Sequence, residues 1–169
     1  MNDFFSKTDL SRKDAEAVIS DTLNKCDDGE LYLENSKSES IVLDDNKIKS
    51  SIYNSDLGYG LRAVTGEVVA YSHSNEISKN SLKKSADNLR STLKSQNGVY
   101  NHEISKTNKK YYKGINPIEE KSLQSKLELL KEVNSYTRAK GGIVQQVTAS
   151  FAGEHKSIEI IRSGGEVLT

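Results

Sequence analysis

The residues of this 169-residue chain that could do chemistry are few: three histidines, one cysteine, a short cluster of lysines and tyrosines, and an arginine set among glycines. Gly58, Gly60 and Ala63 match the GxGxxA form of the dinucleotide fingerprint, which brings backbone N–H groups at a helix N-terminus to a pyrophosphate. Val64, Thr65, Gly66 and Glu67 follow, and then a second apolar run. That is hairpin patterning where the fingerprint needs a helix, so the glycines are read as sites of close backbone packing or a bulge. His102 and Glu103 open a stretch that could pass for a zinc-protease motif, but Ser105, Lys106 and Thr107 stand where the second histidine would have to be. His73 and His155 lack local ligand partners as well, so this chain is expected to bind no metal by itself. Cys26 continues an apolar helical stripe with no adjacent base or cation to activate it, which makes it a core residue. Lys106, Lys109, Lys110, Tyr111, Tyr112 and Lys113 interleave cations with aromatics, as single-stranded nucleic acid readers do. In a chain whose 24 basic and 24 acidic residues cancel, a solvated surface loop is the better reading.

The elements that position these groups can be read from periodicity. Ser11 and Asp14 mark a helix start, and Ala15, Val18, Ile19, Leu23 and Cys26 form its apolar stripe. From Glu30 to Ser74 the pattern predicts a four-strand antiparallel meander, turning at Asp44 to Asn46, at Asn54 to Asp56 and at Thr65 to Glu67. Its first strand is polar from Asn35 to Ser40 and is expected to bulge or project there. Ser78 caps a helix with the stripe Leu82, Ala86, Leu89 and Leu93, stopped by Asn97 and Gly98. Asn116, Pro117 and Glu119 start a third helix to about Lys140, with Leu123, Leu127, Leu130 and Val133 or Tyr136 as its buried face. A second hairpin is expected from Ile143 to Phe151 and Lys156 to Arg162, around Ala152 to His155, and Val167 to Thr169 begin a further strand. The fold class is therefore α+β: a mainly antiparallel sheet, four-strand meander plus second hairpin, covered by about three helices near 11–26, 77–94 and 117–140.

One cysteine excludes an internal disulfide and suits a reducing compartment, so a cytoplasmic location is expected. No segment reaches the roughly 20 apolar residues of a membrane span, and neither a membrane nor a nucleic acid is expected as a partner. A closing strand with no partner leads to the expectation that 1–169 is the N-terminal part of a longer protein.

The meander resembles the N-terminal domain of the TldD type of the TldD/PmbA metalloprotease family, also described as modulators of DNA gyrase. The resemblance lies in Leu31, Tyr32, Leu33 and Glu34; Ser38, Glu39 and Ser40; Asp44, Asp45, Ile48 and Lys49; and Gly58, Gly60, Arg62, Ala63, Val64, Gly66 and Glu67, running on to Ala70, Tyr71 and Ser72. Val147, Ala149, Ser150, Ala152 and Gly153, with Ile161, Arg162, Ser163 and Gly165, extend it. The resemblance implies a zinc-dependent peptidase acting on small or unfolded peptides, with an HExxxH helix and a later cysteine as metal ligands, paired with a PmbA/TldE-like subunit or a second copy. None of those ligands is in this sequence, so no catalytic or metal residue is assigned. What remains for this segment is a noncatalytic role in forming a substrate cavity and subunit interface, with Arg62, Glu67 and Tyr59 as candidates. Arg62 is out of phase with Leu57, Tyr59, Leu61 and Ala63 and would face the other side of its strand, paired with Glu67 or Glu34 or directed at the cavity or partner. The alternatives are a stand-alone module that binds extended peptides at an open sheet edge, near Asn35 to Ser40 and Val167, and a nucleic-acid-binding domain.

Overall fold

A computed structural model describes residues 4–93, 98–99, 114–162 and 167–168. Within them the chain runs α1 (Arg12–Leu23), β1 (Asp28–Asp44), β2 (Lys47–Thr65), β3 (Val68–Ser74), α2 (Lys79–Thr92), α3 (Pro117–Glu120), α4 (Leu123–Arg138), β4 (Thr148–Arg162) and β5 (Val167–Leu168). The strands form one five-stranded antiparallel sheet in the order β3-β2-β1-β4-β5. All three expected helix starts are present: the Ser11 hydroxyl accepts from the Asp14 N–H, Ser78 from Ser81, and the Asn116 side chain from Ile118. Such caps satisfy N–H groups that the first turn leaves without partners.

Three expectations are corrected. The meander has three strands, because β2 passes through Asn54 to Asp56 without turning. The described non-glycine residues with positive φ are Asp45 and Asn46, which make the two-residue turn between β1 and β2, and Gly66 supplies the positive φ of the next turn. Asn54, Ser55 and Asp56 have turn-forming types but extended backbones, and their polarity suits a strand exposed along its first half. The second hairpin is likewise a single strand, β4, running through Ala152, Gly153, Glu154 and His155. The third helix is two helices: α3 is capped by Asn116, and the chain is extended at Lys121 before Ser122 caps α4. The polar centre of β1, Asn35 to Ser40, remains strand throughout.

The chain divides into two compact units, 1–35 with 56–113 and 157–169, and 36–55 with 114–156. In the first, α1 and α2 pack together on one sheet face, burying Ala15, Ile19, Leu23, Leu31, Leu33, Leu61, Ala63, Leu82, Leu89 and Ile161. Cys26 is in this core as a free thiol, together with Phe4 and Phe5. In the second unit, Leu130 of α4 meets Ile41, Leu43 and Ala149, with Leu127 and Phe151 against them. The expected buried face of α4 is only partly right: Leu123, Val133 and Tyr136 are exposed, whereas Lys126 and Asn134 are buried.

The outer strands pair over short, defined stretches. β3 pairs with β2 from Tyr59 to Thr65, and β5 pairs with β4 at Ile160 and Ile161.

Candidate functional site

In the first unit the sheet face opposite the helices carries polar and aromatic side chains. It is generated by strand alternation: Leu31 and Leu33 point to the core, so Asp28, Glu30, Tyr32 and Glu34 point away, and Tyr59, Leu61 and Ala63 leave Arg62 on that same face. Arg62 Nη2 donates to Asp28 Oδ2 at 2.7 Å and Nε to Glu30 Oε1 at 3.0 Å, a fork across neighbouring strands. Burial pushes the Asp28 carboxyl up, but the Arg62 hydrogen bond and charge, the Gly29 N–H and the Arg162 charge outweigh it and hold the group below the ordinary carboxylate range. The Tyr32 hydroxyl donates to Glu34 at 2.5 Å, and burial, that bond and the carboxylate charge push its pKa up to about 12. Opposite Arg62 on β3 is Tyr71, whose ring stacks on His73 at 5.8 Å between centroids.

The glycines of the strand make this arrangement fit. A Cβ on Gly60 would lie 2.6 Å from the Tyr71 hydroxyl, and one on Gly58 would lie 2.8 Å from the Ser74 carbonyl oxygen. They permit close approach of β3, as the hairpin reading expects, and no helix start follows them.

Chemically, this face holds charge in fixed pairs and keeps Tyr32 protonated. Among the described residues it offers no serine, threonine or cysteine nucleophile hydrogen-bonded to a base. Its resources are recognition: an arginine fork, a stacked aromatic pair, and the exposed side chains of Val69 and Tyr71.

The three candidate residues are not brought together. Tyr59 is buried, its hydroxyl exchanging hydrogen bonds with Ser81 and Ser85 at 2.9 Å each, which ties α2 to β2. Arg62 is on the opposite face, and Glu67 is exposed in the β2–β3 turn. Arg62 pairs with Asp28 and Glu30 where Glu67 or Glu34 was expected. The signal that could have found those partners was present, since Asp28 and Glu30 share the alternation phase that faces away from Leu31 and Leu33.

The second unit has its own polar centre. Lys126 and Glu39 form a buried ion pair, and the Lys126 ammonium also donates to the Ile118 carbonyl at 2.6 Å and lies 5.7 Å from the Phe151 ring centroid. Lys37 pairs with Glu119. Between α4 and the start of β4 runs a groove of about 430 Å³, lined by Leu129, Leu130 and Val133 and by consecutive residues of β4. Among the described residues no group of three or more His, Cys, Asp or Glu could hold a metal ion. His102 and the lysine and tyrosine cluster at 106–113 lie outside the described residues.

Residues 29–93 match the family described as PmbA/TldA metallopeptidase domain 1. A metalloprotease TldD homolog of Buchnera aphidicola subsp. Acyrthosiphon pisum is 32% identical over 144 residues, 85% of this chain and 30% of that protein. A metalloprotease TldD homolog of Haemophilus influenzae is 31% identical over 142 residues, 82% and 30% respectively. The chain thus spans about a third of the length of the curated relatives it matches. Among solved structures, a candidate modulator of DNA gyrase from Thermotoga maritima superposes with a TM-score of 0.68 at 13% identity, covering 83% of this chain and 32% of that one. TldE from Thermococcus kodakarensis gives 0.59 at 15% identity, covering 90% and 35%. At these identities the structural likeness shows the fold.

Proposed function

This chain belongs to the PmbA/TldD metallopeptidase family through its first domain, and from that premise we propose that it is the N-terminal, noncatalytic part of a TldD-type zinc peptidase acting on small or unfolded peptides. The observation that carries the proposal is the domain match over 29–93, seconded by TldD homologs aligned over more than four fifths of the chain. The described donor set does not fit zinc: Cys26 is buried against α1, and neither His73 nor His155 belongs to a group of potential ligands. The metal, its ligands and the general base would then be supplied by residues outside 1–169, and no chemical step is assigned to this segment. Its contribution is surface: the open face bearing Arg62, Tyr71 and His73 lines a peptide cavity or meets a TldE-like subunit or second copy. A cytoplasmic location accords with the single thiol, and no helix among the described residues is long and apolar enough to cross a membrane.

The test compares two proteins. Residues 1–169 alone should carry zinc only at background by elemental analysis and hydrolyse no unstructured peptide. The protein encoded by the uninterrupted natural reading frame should contain HExxxH, bind zinc, and lose peptidase activity to a chelator. A tightly held equivalent of zinc on 1–169, or a full-length protein without that motif, would defeat the proposal.

A further inference from the structure

On the open face of the first unit most charges cancel in pairs, and the remainder is negative and borders exposed aromatic rings. Strand alternation puts Asp28, Glu30 and Glu34 on this face against Arg62 and Arg162. Arg62 is drawn to the β1 side, where Glu30 accepts from its Nε and Asp28 from its Nη2, and the Arg162 charge acts on Asp28 as well. Both guanidiniums are thereby engaged with carboxylates of β1, so neither stands ready for an acidic ligand.

On β3 the same face reads Val69, Tyr71 and His73, opposite Val64, Arg62 and Gly60 in the register. Val69 and Tyr71 are 60% and 65% exposed, and His73 stacks on Tyr71 with 26° between the ring planes. Because Gly60 has no Cβ, Tyr71 can lean over β2: that atom would lie 2.6 Å from the Tyr71 hydroxyl. A tyrosine ring open to solvent attracts a cation through its π face, and a surplus of carboxylates beside it selects a cation over a neutral group. Val69 is two residues away from Tyr71 and offers an apolar contact. Side chains two apart in an extended chain stand about 7 Å from one another, so an extended ligand repeats the spacing of the strand beneath it.

We propose that this face binds an extended peptide by a lysine or arginine side chain laid on Tyr71 beside the β1 carboxylates, with an apolar residue two places away on Val69. The proposal rests on the reading of this chain as part of a peptidase and names the substrate class that its N-terminal part selects: unfolded peptides bearing a basic residue next but one to an apolar residue.

The test uses the full-length protein and three short unstructured peptides, fluorescein-labelled and identical except for a lysine, norleucine or glutamate placed two residues from a leucine. Stopped-flow anisotropy, which reads binding ahead of turnover, should give the lysine peptide a Kd about tenfold below that of the norleucine peptide, with glutamate weakest. Tyr71→Ala should bring lysine and norleucine within about twofold of each other, whereas Tyr71→Phe, which keeps the π face, should retain the preference. A benzoylphenylalanine beside the lysine should photo-cross-link to residues 69–73 of the unsubstituted protein, a readout independent of both variants. Equal Kd values for the three peptides, a preference that survives Tyr71→Ala, or cross-links confined to other strands would each overturn the proposal. So would a tighter glutamate peptide, which would give the ligand to Arg62. Binding with the lysine preference by a protein that hydrolyses none of the peptides would leave the proposal standing and defeat the peptidase reading. Hydrolysis without the preference would do the reverse, and neither binding nor hydrolysis would remove both.

Discussion

Replacing Lys126 with methionine strands a carboxylate with little access to water. Lys126 and Glu39 side chains are 5% and 10% exposed, and the ammonium serves both the carboxylate and the Ile118 carbonyl. At an effective dielectric of about 20, unit charges roughly 3 Å apart attract by about 5 kcal/mol, and a charge-assisted hydrogen bond to a carbonyl adds about 1.5–3 kcal/mol. Proton uptake by Glu39 and the apolar contacts of methionine beside Phe151 recover part of that, so Lys126→Met should destabilise by about 3–5 kcal/mol, the range for breaking a buried pair from one side. With a urea m-value of about 2 kcal/mol/M, the midpoint should fall by about 1.5–2.5 M when followed by far-ultraviolet circular dichroism. Because the large term is the stranded charge, the Lys126→Met, Glu39→Leu double variant should return to within about 1 kcal/mol of the parent. A single variant that costs under about 1 kcal/mol, or a double variant that costs the sum of its parts, would refute the account of a coupled, water-poor pair.

Four further outcomes follow from the first unit. The depressed Asp28 carboxyl contributes stability that is complete above its unfolded pKa of about 3.9 and is lost as pH falls through the lower folded value. Urea midpoints measured from pH 6 down to pH 2.5 should therefore fall less steeply for Asp28→Asn than for the parent. Arg62→Ala, at a site one third exposed, should cost about 1 kcal/mol by the same measurement. Tyr59→Phe removes both serine contacts without opening a cavity and should cost about 1–2 kcal/mol in urea unfolding. Gly58→Ala should cost more than Gly60→Ala, within about 1–3 kcal/mol, because the first collides with backbone and the second with the end of a 65% exposed tyrosine able to swing aside. Thermal midpoints of the two variants would settle the order.

What could be read from the sequence was governed by local rules. Ser11, Ser78 and Asn116 announced helix starts because a cap needs only a side chain and the N–H groups two or three residues on. Asp44 to Asn46 and Thr65 to Glu67 announced turns whose backbones do enter the positive φ region. The misread positions were decided by neighbours distant in sequence. Asn54 to Asp56 and Ala152 to His155 have turn-forming types, yet each lies inside a strand held straight by β1. Lys126 sits on the helix face where an apolar residue was expected, because Glu39, far away along the chain, supplies its counter-charge. Of the candidate site, alternation placed Arg62 on the correct face, while its partners required knowing that β1 is the neighbour of β2 on the side of Asp28 and Glu30.

The turn at Asp45 and Asn46 bears on the order of assembly. The Asp45 N–H donates to the Val147 carbonyl, the Asp45 carboxylate accepts from the Val147 N–H and pairs with Arg138, and Asp44 accepts from Gln146 and Thr148. These bonds join positions about a hundred residues apart, so the hairpin tip is finished only by residues made late. During synthesis, α1, the hairpin strands and α2 can collapse early from near-neighbour contacts, whereas the second unit must wait until its last strand has left the ribosome. Until then Ile41 and Leu43 lack the part of their cover that Ala149 and Phe151 supply, and the growing chain carries an incompletely buried apolar patch.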